Sequence, residues 1–248
     1  MKEPTVYSFS RLTTFHTCKH AFNEKYNNGY VEGDNAWSLG GGFAHDILEG
    51  VLKGEIPAET AADIWIEQLP PLDFPSMKLS YVEQYIVGIH EFFKTFKGVS
   101  GEILAVEKHF EIDIEGIRFQ GLADLITRNK DKAIQIVDWK TSGMGEFTGK
   151  KLKAKARQLY LYSESVKEEY GEYPQELFFY MIKYKKPIKI AFNEDDLREA
   201  KDWMKSTVAQ IEGETEWAKK DQPKNGTDFF CFSLCGVHTC EFNRNYQQ

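Results

Sequence analysis

Asp138-Trp139-Lys140 stands at the end of an apolar run, Ala133 to Thr141, that reads as a β-strand. Residues two apart on a strand project from one face, so this carboxylate and this ammonium point into one place. Held together they can do phosphoryl chemistry: the carboxylate fixes a divalent cation while the lysine orients an attacking water or offsets charge on a pentavalent phosphorus. For Asp-x-Lys alone the alternative is an ordinary strand-end ion pair. Asp124 shifts the balance, being the lone acid in Gly121-Leu122-Ala123-Asp124-Leu125-Ile126, because a buried carboxylate is costly unless paired or ligated. A tight turn at Arg128 to Lys132 would pair the two strands antiparallel and bring Asp124 to Asp138. Two carboxylates at one spot repel unless a cation sits between them, and oxygen donors suit Mg²⁺ or Mn²⁺. Register is not fixed by sequence, so a surface position near the turn is the alternative for Asp124.

Other residues have weaker claims. Gln158 and Tyr162 lie four apart on a predicted helix and reach the same side, with Arg157 and Lys153 near it; this polar stripe could hold a phosphate backbone or be a solvated face. His45 is a lone histidine on a helix, a ligand or a structural residue. Cys18 is separated from Cys231, Cys235 and Cys240 by most of the chain, a clustering that points to a ligand set assembled by folding. The net charge of −7 argues against a generic nucleic-acid coat. Two local basic runs, Lys150, Lys151, Lys153, Lys155 and Arg157, then Lys183, Lys185, Lys186 and Lys189, mark a confined phosphate surface or two solvated faces.

The elements that must position these residues follow from periodicity. At 248 residues and 42% hydrophobic the chain is long enough for one α/β core, and no linker divides it. A helix is predicted from the N-cap candidate Ser10 toward Tyr26, with Cys18 on its apolar face. A Gly40-Gly41-Gly42 turn leads into a second helix carrying His45 in its first turn. Two more helices fill Glu59 to Leu69 and Lys78 to Lys97. Strands follow at Ile103 to Ile112, Ile117 to Thr127 and Ala133 to Thr141, then a helix from Lys151 to Tyr170, a strand at Leu177 to Tyr184, and a helix from Asp195 to Ile211 behind Asn193. The expectation is a single domain over 1–248: a helical part over 8–98, a mixed sheet core over 99–192, and a C-terminal helix with a cysteine-bearing tail over 193–248. No run of about 18 apolar residues is present to span a membrane, and Met1-Lys2-Glu3-Pro4 lacks the pattern of a secretory signal, so a cytoplasmic protein is expected.

In order, these segments resemble the RecB-like branch of the PD-(D/E)XK nuclease superfamily. Gly41 to Glu49 is similar to the family's Gly-x-x-x-His-x-x-Leu-Glu helix, and Gly121 to Ile126 to its Gly-x-x-Asp-x-Ile strand. Val137 to Thr141 is similar to its Val-Asp-x-Lys-Thr segment, and Gln158 to Tyr162 to its Gln-x-x-x-Tyr helix. The resemblance implies a restriction-endonuclease-like mixed sheet flanked by helices. It implies metal binding by His45, Asp124, Asp138 and the Trp139 carbonyl, catalysis by Asp124, Asp138 and Lys140, and a DNA-organising role for Gln158 and Tyr162. Glu107 matches a recurrent family position. Cys18 and the C-terminal three cysteines resemble the [4Fe–4S] ligands of AddB and of the CRISPR adaptation nucleases, although C-x3-C-x4-C replaces the usual C-x2-C-x5-C. Structural zinc, His238 as a substitute ligand, and no cluster at all stay open. The implied activity is a Mg²⁺- or Mn²⁺-dependent DNA exonuclease acting on single strands or free ends in recombination, repair or phage DNA processing. No helicase P-loop motif occurs, so any motor or recombination partner is separate. A structure- or sequence-specific endonuclease and a non-catalytic DNA- or partner-binding module are the competing readings.

Overall fold

The computed structural model describes residues 5–75 and 77–246; Met1 to Pro4, read above for a leader, lie outside them. A five-stranded mixed sheet has the order β1-β2-β3-β4-β5, with β1 Glu102–Ile114, β2 Ile117–Arg128, β3 Ile134–Lys140, β4 Glu176–Met181 and β5 Lys186–Ala191. Only β3 and β4 run parallel, and the crossover between them contains α6, Gly149–Tyr170. The remaining pairs are antiparallel and joined by short connections.

Each face of the sheet is covered. On one side α1 (Phe9–Thr17), α6 and α7 (Glu194–Glu212) enclose a core with Leu12, Phe119, Ile136, Leu159, Phe179 and Met204. On the other, α3 (Ala36–Leu52), α4 (Ala61–Gln68) and α5 (Leu79–Thr95) bury Ile47, Trp65, Ile89, Leu125 and Trp139. This is the expected α/β core with helical elaboration.

Several boundaries differ from the sequence reading. Ser8, not Ser10, caps α1, its hydroxyl accepting the Arg11 N–H at 3.2 Å. The first helix stops at Cys18, which is extended (φ −160°) and starts the short α2, Lys19–Phe22, so Cys18 sits at a junction and not on a continuous apolar face. The glycine triplet makes no turn: α3 begins at Ala36 behind Asn35, whose side chain accepts the Trp37 and Ser38 N–H groups at 3.0 Å, and runs through Gly40 to Gly42. Each interior glycine costs about 1 kcal/mol against alanine, so tertiary packing must override propensity. At Gly40 the reason is visible: a Cβ there would meet the Tyr85 hydroxyl at 2.8 Å. The strand expected at Leu177 to Tyr184 ends at Met181; a short turn over Ile182–Tyr184 and Lys185 in the left-handed region (φ 51°) reverse the chain into β5, which the sequence reading missed.

Beyond α7 the tail folds back on the N-terminal segment. Gly33 N–H donates to the Gly236 carbonyl at 3.0 Å, His238 N–H to the Tyr30 hydroxyl at 3.0 Å, and the Asn35 amide to the Leu234 carbonyl at 3.1 Å. Trp217 stacks on Phe22 with centroids 5.6 Å apart. Cys18, Ala21, Val237 and Cys240 are buried together there.

Candidate active site

Side chains of β3 alternate between the two faces of the sheet. Asp138 and Lys140 project together, with Lys140 Nζ 2.5 Å from Asp138 Oδ2, while the Trp139 ring between them is buried in the opposite core. Asp138 is 3% exposed, and its Oδ2 lacks an aligned hydrogen-bond donor, so the contact with Lys140 is an ion pair with poor hydrogen-bond geometry. The β2–β3 ladder pairs Leu125 with Val137, and one step further along it Asp124 Oδ2 accepts the Trp139 N–H at 2.7 Å. Asp124 is therefore held by the backbone of the Asp-x-Lys segment itself.

Glu107 enters from β1. It lies between the Val106–Leu125 and Lys108–Ala123 pairs, opposite Asp124, and its φ of 46° is in the left-handed region. A non-glycine residue there is strained, a condition concentrated at functional sites. The strand faces exchange across this point. Phe110 and Ala123 pack into the α6 core, whereas Val106 and Leu125, which would share their face in a regular strand, pack into the α3–α5 core. His45, three turns into α3, closes the group: its Nδ1 is 3.6 Å from both Glu107 Oε1 and Asp124 Oδ2, and its Nε2 is 3.1 Å from the Trp139 carbonyl. Among the described residues, His45, Glu107 and Asp124 are the one set of three or more such donors whose ligating atoms all lie within 4.8 Å of one another. They open onto a cavity of about 670 Å³, lined also by Trp37, Gly42 and Leu122.

The electrostatics are those of crowded, buried acids. Burial, and then the Asp138 carboxylate, push the Asp124 carboxyl up to about 7. Burial alone would lower the pKa of His45, but its bond to Glu107 and the Asp124 and Asp138 charges outweigh that and raise it. Lys140 behaves alike: burial opposes its charge, and Asp138 with Asp124 more than restores it.

The helix residues divide into two groups. The Gln158 amide donates to the Tyr162 hydroxyl at 3.2 Å, and the Tyr162 ring packs edge-on against Phe110 at 5.0 Å. That ring also explains Gly121, where a Cβ would come within 2.6 Å of it. Lys153 and Arg157, expected near the Gln158–Tyr162 side, turn toward α7 instead: Lys153 Nζ is 2.6 Å from Glu199, and Arg157 is 3.5 Å from Glu199 and stacks over Trp203. Lys155, from the same basic run, is the one that shares the Gln158–Tyr162 face, at i, i+3 and i+7. In the second basic run, Lys183 lies over the Tyr81 and Tyr85 rings and Lys189 pairs with Glu176.

Cys18, Cys231 and Cys240 are buried and Cys235 half-buried, all unbridged. Burial pushes the Cys235 thiol up to about 11, with the neighbouring Cys18, Cys231 and Cys240 sulfurs adding to it. The four thus gather from opposite ends of the chain, yet no three of their sulfurs lie within 4.8 Å of one another. The His238 ring rests on Gly33.

A mixed sheet carrying an acid and an Asp-x-Lys pair on adjacent central strands, with a helical histidine above them, defines a restriction-endonuclease-like hydrolase fold. The chain belongs to the PD-(D/E)XK nuclease superfamily, whose profile matches residues 6–244. Nucleases of this superfamily act on nucleic acids and use divalent metals. Among solved structures, a "Putative exonuclease" from Eubacterium rectale superimposes with a TM-score of 0.51 at 16% identity, covering 88% of this chain and 86% of that one. SSO0001 aligns at a TM-score of 0.36 and 15% identity over 84% of this chain and 78% of its own. No curated protein matches the chain. Among the described residues, no helix is long and apolar enough to cross a membrane.

Proposed function

We propose that the protein is a Mg²⁺- or Mn²⁺-dependent deoxyribonuclease that cuts phosphodiesters at DNA ends, with Asp124, Asp138 and Lys140 as its catalytic residues. The observation that carries this reading is the convergence of the His45, Glu107 and Asp124 donors beside the Asp138–Lys140 pair. The donor set fits a hard divalent cation: it offers carboxylate oxygens and one imidazole, and the buried Asp138 oxygen lacks an aligned donor. His45, Asp124, Asp138 and the Trp139 carbonyl would hold the ion, with Glu107 added by geometry. A bound cation supplies a more acidic water and offsets charge on the phosphate oxygens.

The chain's own groups do the rest. With Nε2–H donating to the Trp139 carbonyl, His45 turns Nδ1 toward Asp124 and Glu107, and the carbonyl keeps its second lone pair. Lys140, whose pKa the two carboxylates raise, is placed beside Asp138 as an ammonium that can donate to a phosphate oxygen. Tyr162, fixed by Gln158 and Phe110, supports the Gly121 end of β2. The end-directed part of the reading takes its lead from the exonuclease description of the Eubacterium rectale protein.

We further propose that Cys18, Cys231, Cys235 and Cys240 hold a [4Fe–4S] cluster that fastens the tail to the first helix. Support comes from the gathering of Cys18 with the tail cysteines; four thiolates also suit tetrahedral zinc. Iron and sulfide analysis of anaerobically purified protein separates the two, since zinc in colourless protein excludes the cluster. The cytoplasm, with a separate helicase or recombination protein, is the proposed setting.

The activity test uses end-labelled linear and circular DNA, single- and double-stranded, with Mg²⁺, Mn²⁺ or EDTA. Metal-dependent release of short products from linear DNA alone is expected, lost in Asp124→Asn. Cutting of circles would make the protein an endonuclease, and folded protein that binds DNA without cutting it would make it a binding module.

A further inference from the structure

The basic residues of α6 divide by what neutralises them. Lys151 Nζ is 2.7 Å from Glu146, Lys153 is 2.6 Å from Glu199, and Arg157 is 3.5 Å from Glu199. Among the described residues, Lys150 has no carboxylate within 4.0 Å but is exposed, as suits a solvated charge; Lys155 likewise has none, yet its side chain is half-buried, and Glu146 attracts it only from beyond that distance. Its Nζ lies over the Phe147 ring, 5.3 Å from the centroid. Phe147 is buried and packs at 4.9 Å against Phe179, and Lys140 Nζ lies over that second ring at 5.8 Å. A single aromatic pair thus links the two lysines; one is paired with Asp138 and the other has no carboxylate in contact.

We propose that Lys155 is a phosphate-binding residue of the active site, holding a DNA phosphate beside the one being cut. A half-buried cation without a partner is unfavourable unless an anion arrives, and the substrate of a nuclease is a polyanion. Burial pushes the Lys155 pKa down, and the pull of Glu146, opposed by repulsion from Lys140 and Lys151, does not restore it. Packing against Phe147 does not require the charge, since methionine fills a similar volume and contacts an aromatic ring well. Lys155 also shares the inward face of α6 with Gln158 and Tyr162, whereas the neutralised Lys153 and Arg157 face α7.

This assignment rests on the nuclease reading, and its test is kept separate from cleavage. Binding of a fluorescent single-stranded oligonucleotide is followed by anisotropy in EDTA across a salt series, for the wild type, Lys155→Met, Lys155→Arg and Lys153→Met. Removing one phosphate contact lowers the slope of log K against log salt by about 0.7, which is roughly fivefold in affinity at 0.1 M salt. That loss is expected for Lys155→Met, with the wild-type slope kept by Lys155→Arg and by Lys153→Met. An unchanged slope in a folded Lys155→Met protein that still binds overturns the assignment alone. A wild-type protein that cleaves DNA with Mg²⁺ or Mn²⁺ but binds none in EDTA also overturns the assignment alone, and one that neither binds nor cleaves overturns the nuclease reading and this assignment with it.

Discussion

Removing Lys140 perturbs more than catalysis. Its side chain is 27% exposed, but that of Asp138 beside it is buried, and Asp124 adds a second buried carboxylate. Breaking a fully buried pair by deleting one partner costs about 3–5 kcal/mol. Two features reduce that here. Lys140 is partly solvated, and the two carboxylates can relieve their repulsion by taking up a proton, Asp124 already being pushed up to about 7. Lys140→Met is therefore expected to destabilise the metal-free protein by about 2 kcal/mol, lowering the melting temperature by about 4–8 °C for a chain of this size. The sign of the pH dependence follows. An acid whose folded pKa lies above its unfolded value costs stability above that folded pKa and ceases to do so as pH falls below its unfolded value. The Lys140→Met defect should then be larger at pH 8 than at pH 5. Asp138→Asn combined with Lys140→Met removes both charges and should recover most of the loss, although neither variant cleaves DNA. Thermal unfolding in EDTA at the two pH values, with both variants and the wild type, gives the comparison. The reasoning fails if Lys140→Met melts with the wild type at pH 8, or if the double variant melts no higher than the single one.

The glycines of α3 should separate in the same assay. Gly42 meets no atom within 4 Å of an added Cβ, so Gly42→Ala gains helix propensity and should raise the melting temperature by about 2–4 °C. In Gly40→Ala the new methyl strikes the buried Tyr85 hydroxyl and Leu72, and overpacking of about 1–3 kcal/mol should cancel or reverse that gain; equal shifts in the two variants would refute the packing account. Cys18→Ser should lower bound iron and free the tail, seen as faster hydrogen exchange over 30–35 and 231–240, where the backbone bonds from Gly33 and His238 lie. Unchanged iron content with unchanged exchange would remove Cys18 from the proposed ligand set.

What the sequence determined is local or strictly periodic. Asp138 and Lys140 share a site because a strand repeats every two residues, and no tertiary choice could separate them. The Asn193 cap of α7 and the Gln158–Tyr162 spacing are of the same kind. Asp124 was legible only as a lone acid in an apolar strand; its register against Asp138, left open by the sequence, is set by the β2–β3 pairing. Other features had to wait for the fold because they depend on what lies opposite. Three glycines in a row read as a turn; they are helical because Tyr85 and Leu72 press on Gly40. The reversal into β5 turns on Lys185, where neither glycine nor proline marks the left-handed residue. Glu107 faces Asp124 through a strained backbone in a strand where periodicity alone would predict regular alternation. The basic run on α6 gave positive charge but not its destination: helical phase sets Lys153 and Arg157 apart from Lys155, and only the placement of Glu199 on α7 decides which of them is neutralised.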